Sequence, residues 1–160
     1  MSAILKAIDY LNKIIGFLSV LILVVMSGVI SIQVFSRFIL HNSIEWSEEL
    51  ARYLMIWLVF LAASLALRKH KLIGVEALTE RLTPNVRRIF KTVVHIVNIG
   101  FFIVLMMYGM DMLEHVKMQQ SPAMKIPMVY AYAAIPVGAF LMMMNSIAVL
   151  IEFYTKEDQS

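Results

Sequence analysis

Four long stretches without a charged side chain alternate with short charged segments along this chain of 160 residues. A bilayer has a hydrocarbon core of about 30 Å, and a helix that rises about 1.5 Å per residue crosses it in roughly 20 residues. Three stretches are long enough to cross, and the second becomes so when its polar ends reach the interface. The pattern therefore predicts four transmembrane helices, in the uncharged stretches 14–36, 53–67, 92–110 and 126–151.

The expected fold class is an all-α membrane protein with short interfacial amphipathic helices. Hydrophobic residues make up 61% of the chain, more than the core of a soluble domain requires. The first stretch is too long for the apolar part of a signal peptide, so we expect it to remain in the membrane. We expect a single four-helix domain over residues 1–160, with spans near residues 14–36, 47–67, 90–110 and 127–151.

The basic residues predict the orientation of the helices. Seven of the 14 Lys and Arg residues lie between residues 68 and 91, so the positive-inside rule places this connection in the cytoplasm. Both termini are then cytoplasmic, and connections 37–52 and 111–125 lie on the opposite side. This arrangement puts ten basic residues inside and four outside.

Local signals predict where helices start and bend. Apolar residues at helical spacing between residues 4 and 15 predict an interfacial lead-in helix, either a plain entry or a partner-docking face. A similar pattern over residues 73–82 predicts a second surface helix. Thr83 followed by Pro84 predicts the start of the third helix, and Pro136 predicts a kink in the fourth span.

Few side chains in the spans are suited to chemistry. The chain has no cysteine, and His95, one turn past Lys91, is expected at the interface. The uncharged stretches hold no carboxylate for a proton or sodium ion and no glycine-rich break. Gln33, Asn98 and Asn145 are expected to hydrogen-bond between helices. We therefore expect no cofactor, no metal, no nucleic acid and no enzymatic activity, and no transport by this chain alone.

The start of the second helix is predicted to form a charged platform of Glu45, Glu48, Glu49 and Arg52. Glu48 and Arg52 are four residues apart, in the order that favours a helical ion pair. This platform is either a solvated helix start or a contact with a partner. Further along the helix, Ala62 and Ala66 would allow another helix to approach closely.

Two segments resemble the small membrane subunit of TRAP transporters, the DctQ-like family. They are QVFSRF at residues 33–38 and EWSEELARYLMIWLVFLAASLALRKHKLIGVEAL at residues 45–78. The second half of the chain resembles that subunit only in the number and length of its spans. One departure is Leu72, which stands where the family often has a histidine.

The resemblance implies a three-part system in the bacterial inner membrane. Its other parts would be a large membrane subunit with the substrate and sodium sites and a periplasmic solute-binding protein, and its substrates would be organic acids such as C4-dicarboxylates or sialic acid. The small subunit would brace the large one, while the alternatives are a self-contained small transporter and a membrane scaffold unrelated to TRAP systems. The candidate subunit contacts are Arg37, Trp46, Glu48, Glu49, Arg52, Trp57, Ala62 and Ala66, and the candidate phospholipid contacts are Arg68, Lys69, Arg87, Arg88 and Lys91.

Overall fold

Long helices account for most of the computed structural model, which describes residues 3–41, 44–69 and 83–157. In order they are α1 (Ala3–Ile39), α2 (Glu45–Arg68), α3 (Pro84–Val116), the short α4 (Val129–Tyr132) and α5 (Ala134–Glu157). Four helical stretches are long and apolar enough to cross a membrane, the last of them running from α4 through α5. The prediction of an all-α membrane protein with four spans is confirmed.

The helices lie side by side in the contact order α1, α2, α5, α3. α2 packs against both α1 and α5, and α5 packs against α3, whereas α1 and α3 do not contact each other within the described part of the chain. In the apolar segment of the fourth span, 56% of the residues are buried. The corresponding share is 11% in the first span and 6% in the third. α5 is therefore the central helix, and α1 and α3 expose broad apolar faces.

α1 packs along a single stripe that runs its whole length. At 37 residues it is about 55 Å long, so it extends well beyond a hydrocarbon core of about 30 Å. The predicted lead-in helix is the first part of this uninterrupted α1. When successive buried positions of a helix are alternately three and four residues apart, they recur on average every 3.5 residues, which is the period of left-handed helix packing. Buried and half-buried residues follow this repeat at Leu5, Ile8, Asn12, Ile15, Ser19, Ile22, Met26, Val29, Gln33 and Ser36.

The helix starts agree with the local sequence signals where the structure describes them. α2 begins at Glu45, and α3 begins at Pro84 after Thr83, which has extended backbone angles. The surface helix expected over residues 73–82 lies outside the described residues.

The fourth span is interrupted at Ala133, one turn before Pro136. Proline has no backbone N–H, so Pro136 leaves the Tyr132 carbonyl without its usual helical donor. The helix resumes at Ala134, and the next backbone hydrogen bond runs from the Val137 N–H to the Ala133 carbonyl at 3.2 Å. The predicted distortion therefore falls where the sequence places it.

α2 and α5 approach most closely at Gly138. A Cβ atom added there would lie 2.6 Å from Cβ of Phe60, and Phe60 Cβ cannot move without moving its backbone. Within the described residues, Ala62 is exposed and Ala66 is half-buried, so the close helix approach expected there stays a prediction. Glycine, and not the predicted alanine pair, brings the two central helices together.

We predict that Gly138→Ala lowers the free energy of unfolding by about 1–3 kcal/mol, because the new methyl group overpacks the contact with Phe60. The midpoint of thermal unfolding in detergent, followed by circular dichroism, measures this loss. The matched control is Gly100→Ala, since nothing lies within 4 Å of a Cβ at that position. The control should be neutral or slightly stabilising, and equal behaviour of both variants would contradict the assignment.

Candidate functional site

Polar contacts concentrate at the two ends of the row of helices. We call one the loop end: it carries the C-terminus of α1, the N-terminus of α2 and the connection 117–128. We call the other the basic end: it carries the N-termini of α1 and α3 and the C-termini of α2 and α5. The predicted subunit contacts lie mainly towards the loop end, and the predicted phospholipid contacts lie at the basic end.

Glu49 holds the connection 117–128 against α2 at the loop end. Its Oε2 atom accepts hydrogen bonds from the backbone N–H groups of Ala123 at 2.9 Å and Met124 at 3.0 Å. Its Oε1 atom accepts a hydrogen bond from the Tyr53 hydroxyl. The residue is only 8% exposed. Glu49 is therefore not part of a solvated platform: its carboxylate binds another part of the same chain.

The connection 117–128 also has internal order. The N–H of Ser121 donates to the Ile126 carbonyl at 2.9 Å, and the N–H of Met128 donates to the Gln119 carbonyl at 3.0 Å. Lys125, between these pairs, has a φ of 57°, in the left-handed region. The connection is thus a small folded loop, and Glu49 attaches it to α2.

Glu48 contacts α1. Gln33 Nε2 donates to Glu48 Oε1 at 2.6 Å, and Arg37 Nη1 lies 3.9 Å from the same oxygen. Within the described residues, the ion pair of Glu48 is with Arg37, so the helical pair predicted with Arg52 is not formed. The charges of Glu48 and Arg37 are more than half exposed, and such a pair contributes about 0–1 kcal/mol in water. Trp46 and Arg52 are both exposed at this end.

Trp57 ties α2 to the interrupted start of the fourth span. Its indole Nε1–H donates to the Tyr130 carbonyl at 2.9 Å. Its ring packs against the core cluster of Ile15, Leu61 and Leu141. Trp57 thus orients helices within this chain, in a half-buried position.

Arg68 joins three helices at the basic end. Its guanidinium donates to Asp9 of α1, from Nε at 2.8 Å and from Nη2 at 2.7 Å, and from Nη1 to Glu152 of α5 at 2.7 Å. The side chain is only 12% exposed, and a buried guanidinium requires such partners. Because its donors are engaged by two carboxylates, Arg68 does not suit the expected role of binding a phospholipid headgroup directly.

Asn12 and Asn145 form a second connection among the same helices, nearer the middle of the membrane. The two side-chain amides donate to each other at 2.7 and 2.9 Å, and Asn145 Nδ2 also donates to the Ser64 carbonyl at 2.8 Å. Asn145 is 1% exposed. The expectation that Asn145 hydrogen-bonds between helices is confirmed.

α3 contacts α5 through polar and aromatic groups near the basic end. His95 Nδ1 lies 2.9 Å from Ser146 Oγ, and Thr92 Oγ1 lies 2.8 Å from the Tyr154 hydroxyl. Arg88 and Lys91 lie over aromatic rings of α5, at 5.1 Å from the ring of Tyr154 and 5.3 Å from that of Phe153. Arg87 and Lys69 are exposed at the same end. These basic side chains remain candidates for phospholipid contact.

Sequence reasoning missed Asp9, Asn12, Tyr53 and Glu152. Asp9 and Glu152 lie outside the four uncharged stretches, and their common partner Arg68 is far from both in sequence. Asn12 carried a usable signal, because it continues the alternation of three- and four-residue steps that includes Ile15 and Ser19. A side chain on that stripe has to face another helix. The described residues contain no group of three or more potential metal ligands.

We predict that Glu49→Ala releases the connection 117–128. Charge-assisted hydrogen bonds of this kind contribute about 1.5–3 kcal/mol, so amide hydrogen exchange at Ala123 and Met124 should accelerate by roughly ten- to hundredfold. Hydrogen–deuterium exchange with mass spectrometry of peptides covering residues 119–128 measures the change. The matched control is Glu45→Ala, an exposed glutamate one turn earlier in α2. Unchanged exchange in the Glu49 variant, or equal acceleration in the control, would show that the carboxylate does not hold the loop.

Comparison with known proteins assigns the chain to a family. The sequence model for the DctQ component of tripartite ATP-independent periplasmic transporters matches residues 26–156. The sialic acid TRAP transporter permease protein SiaT of Haemophilus influenzae is 28% identical over 147 residues, which are 91% of this chain and 24% of that protein. A putative TRAP transporter small permease protein of the same species is 35% identical over 82 residues, 51% of each protein.

A further relative has a different substrate in its name. The isethionate TRAP transporter permease protein DctMQ of Oleidesulfovibrio alaskensis is 27% identical over 99 residues, 61% of this chain and 16% of that protein. This chain thus spans between about a sixth and a half of these three relatives. Because the family model covers most of the chain, the alternative of a scaffold unrelated to TRAP systems is wrong. The chain belongs to the DctQ family of TRAP transporter components, which are membrane transport proteins and not enzymes.

Proposed function

We propose that this chain is the small permease subunit of a tripartite, sodium-coupled uptake system for an organic acid of the C4-dicarboxylate or sialic acid type. It braces the large transport subunit as part of the static scaffold, in the bacterial inner membrane. A periplasmic solute-binding protein is the third part of the system. The basic end faces the cytoplasm and contacts phospholipid.

The main support for this proposal is that each pair of neighbouring helices in the row is joined by polar contacts. α1, α2 and α5 are joined through Arg68 and through Asn145, and α5 is joined to α3 through His95 and Ser146. Hydrogen bonds between membrane helices contribute roughly 0.6–2 kcal/mol each, and several of them oppose sliding of one helix along another. A unit connected in this way is suited to stay fixed while another domain moves.

The two buried ionised side chains of α2 support a scaffold role over an ion-coupling role. Glu49 accepts three hydrogen bonds from groups of this chain, and Arg68 donates to two carboxylates. A sodium ion or an organic acid would have to break these contacts before it could bind either side chain. The coupling site is accordingly proposed to lie on the large subunit.

The relatives support a lasting association with a larger membrane part. The segments that match this chain make up 24% of SiaT and 16% of DctMQ, so these relatives continue well beyond the matched segment. The broad apolar faces of α1 and α3 leave ample surface for such a part. The exposed candidates for this contact are Arg37, Trp46, Glu48, Arg52 and Ala62.

Reconstitution into proteoliposomes tests the proposal. We predict that this chain alone gives no sodium-dependent uptake of sialic acid or a C4-dicarboxylate, whereas all three parts together give uptake of the cognate acid. Omitting this chain should reduce that uptake at least tenfold, because the large subunit then lacks its brace. Insertion of the large subunit into the vesicles must be shown to be equal in both preparations. Uptake by this chain alone, or full uptake without it, would refute the scaffold role.

Cysteine labelling tests the orientation. The chain has no native cysteine, so Met118→Cys at the loop end and Val86→Cys at the basic end each introduce one thiol. Both positions are exposed, at 95% and 49%. We predict that a membrane-impermeant maleimide, added to cells with a permeable outer membrane, labels position 118 and reaches position 86 only after the inner membrane is opened. Labelling in the opposite order would reverse the orientation.

A further inference from the structure

We propose that a cleft at the basic end binds the phosphate-bearing headgroup of an anionic phospholipid. This site extends the phospholipid contact of the proposed function to a defined location, and its test does not depend on transport. The cleft lies between α1, α2 and α5 and has a volume of about 580 Å³, within the usual range of ligand pockets. Its lining consists of Asp9, Asn12, Lys13, Gly16, Leu65, Arg68, Lys69 and Glu152.

The charges of the cleft favour an anion. The lining carries three basic and two acidic residues, a net charge of +1. Both acidic residues form ion pairs with Arg68. Lys13 and Lys69 are exposed, and neither has an ion pair within the described part of the chain. Two ammonium groups are therefore available to a phosphate, and their charge of +2 exceeds the charge of −1 that Arg68 and its two carboxylates carry together.

The depth of the cleft in the membrane matches a lipid headgroup. Lys13 directly precedes the uncharged stretch 14–36 of α1, and Arg68 directly follows the uncharged stretch 53–67 of α2. These residues therefore lie at the same membrane boundary, where lipid phosphates are found. The apolar part of the lining, Gly16 and Leu65, lies about one helical turn deeper. A phospholipid would match this arrangement, with its phosphate beside the basic residues at the boundary and its acyl chain beside the apolar residues deeper in the membrane.

Arg68 acts here as a positioning residue. Its bonds to Asp9 and Glu152 fix the spacing of α1, α2 and α5 around the cleft, and the Asn12–Asn145 pair fixes the same three helices further in. The shape of the cleft is thus set without the ligand. Lys13 and Lys69, on different helices, supply the binding charge.

The charge requirement is tested with the full chain, purified in detergent and stripped of lipid. Native mass spectrometry follows binding of phosphatidylglycerol, of phosphatidylcholine with the same acyl chains, and of inorganic phosphate. We expect phosphatidylglycerol to bind most tightly, and K13Q/K69Q to weaken its binding by about thirtyfold. The matched control is K117Q/K125Q, which removes two exposed lysines at the loop end. An equal loss in both double variants, or no loss in the first, would refute the site.

The cleft itself is tested without changing charge. A Cβ atom at Gly16 would lie 3.9 Å from Cδ1 of Leu65, an ordinary contact, so this position of the lining accepts a side chain, and Gly16→Leu adds three further carbon atoms there. The control on the same helix is Gly28→Leu, where nothing lies within 4 Å of a Cβ. Gly16→Leu should weaken phosphatidylglycerol binding at least tenfold, and Gly28→Leu should leave it unchanged. Equal affinity of both variants would refute the cleft, and displacement of the lipid by inorganic phosphate at equal concentration would identify a free anion as the ligand.

Discussion

Polar side chains inside a membrane must find hydrogen-bond partners within the protein. Asn145 meets this requirement through bonds that align three of the helices. It lies on the central helix, is 1% exposed, and hydrogen-bonds to Asn12 of α1 and to the backbone of α2 at Ser64. Sliding either helix by one residue would leave an amide without a partner in hydrocarbon, which costs several kcal/mol. Apolar contacts tolerate such a shift more readily, because one leucine can replace another. Asn145 therefore sets the relative heights of α1, α2 and α5 together with Arg68, which joins the same three helices at the basic end.

The sequence predicted the elements well because the membrane imposes a coarse rule. A stretch such as residues 14–36 has a single stable conformation in hydrocarbon, so its uncharged length identifies a helix. Pro84 and Pro136 marked a helix start and a helix interruption, since the lack of an N–H acts on the nearest turn alone. These patterns depend only on neighbouring residues in the sequence, and not on which helices pack against each other.

The candidate site was predicted less well, because its contacts join distant parts of the chain. Glu49 was read as one charge of an exposed platform, but it is buried by residues 123 and 124, more than 70 positions later. Arg68 was read as a headgroup ligand because it follows an apolar stretch, yet its partners Asp9 and Glu152 lie at opposite ends of the sequence. Trp57 was expected to contact another subunit, whereas in this structure it packs on the core cluster of its own chain and donates a hydrogen bond to the Tyr130 carbonyl. Charge at a helix end indicates depth in the membrane but not the partner.

The contact order of the helices also determines how the molecule meets the bilayer. In a closed bundle each helix turns one face inward, whereas in this row the described residues of α1 and α3 do not contact each other, and both helices keep most of their surface outward. The perimeter available to annular lipids is correspondingly large for a chain of this size. The uncharged stretch of α1, residues 14–36, is about 34 Å long and slightly exceeds a hydrocarbon core of about 30 Å, so the tilt of the row responds to hydrophobic mismatch. Bilayer thickness thereby becomes a variable that acts on this protein through its least buried helices.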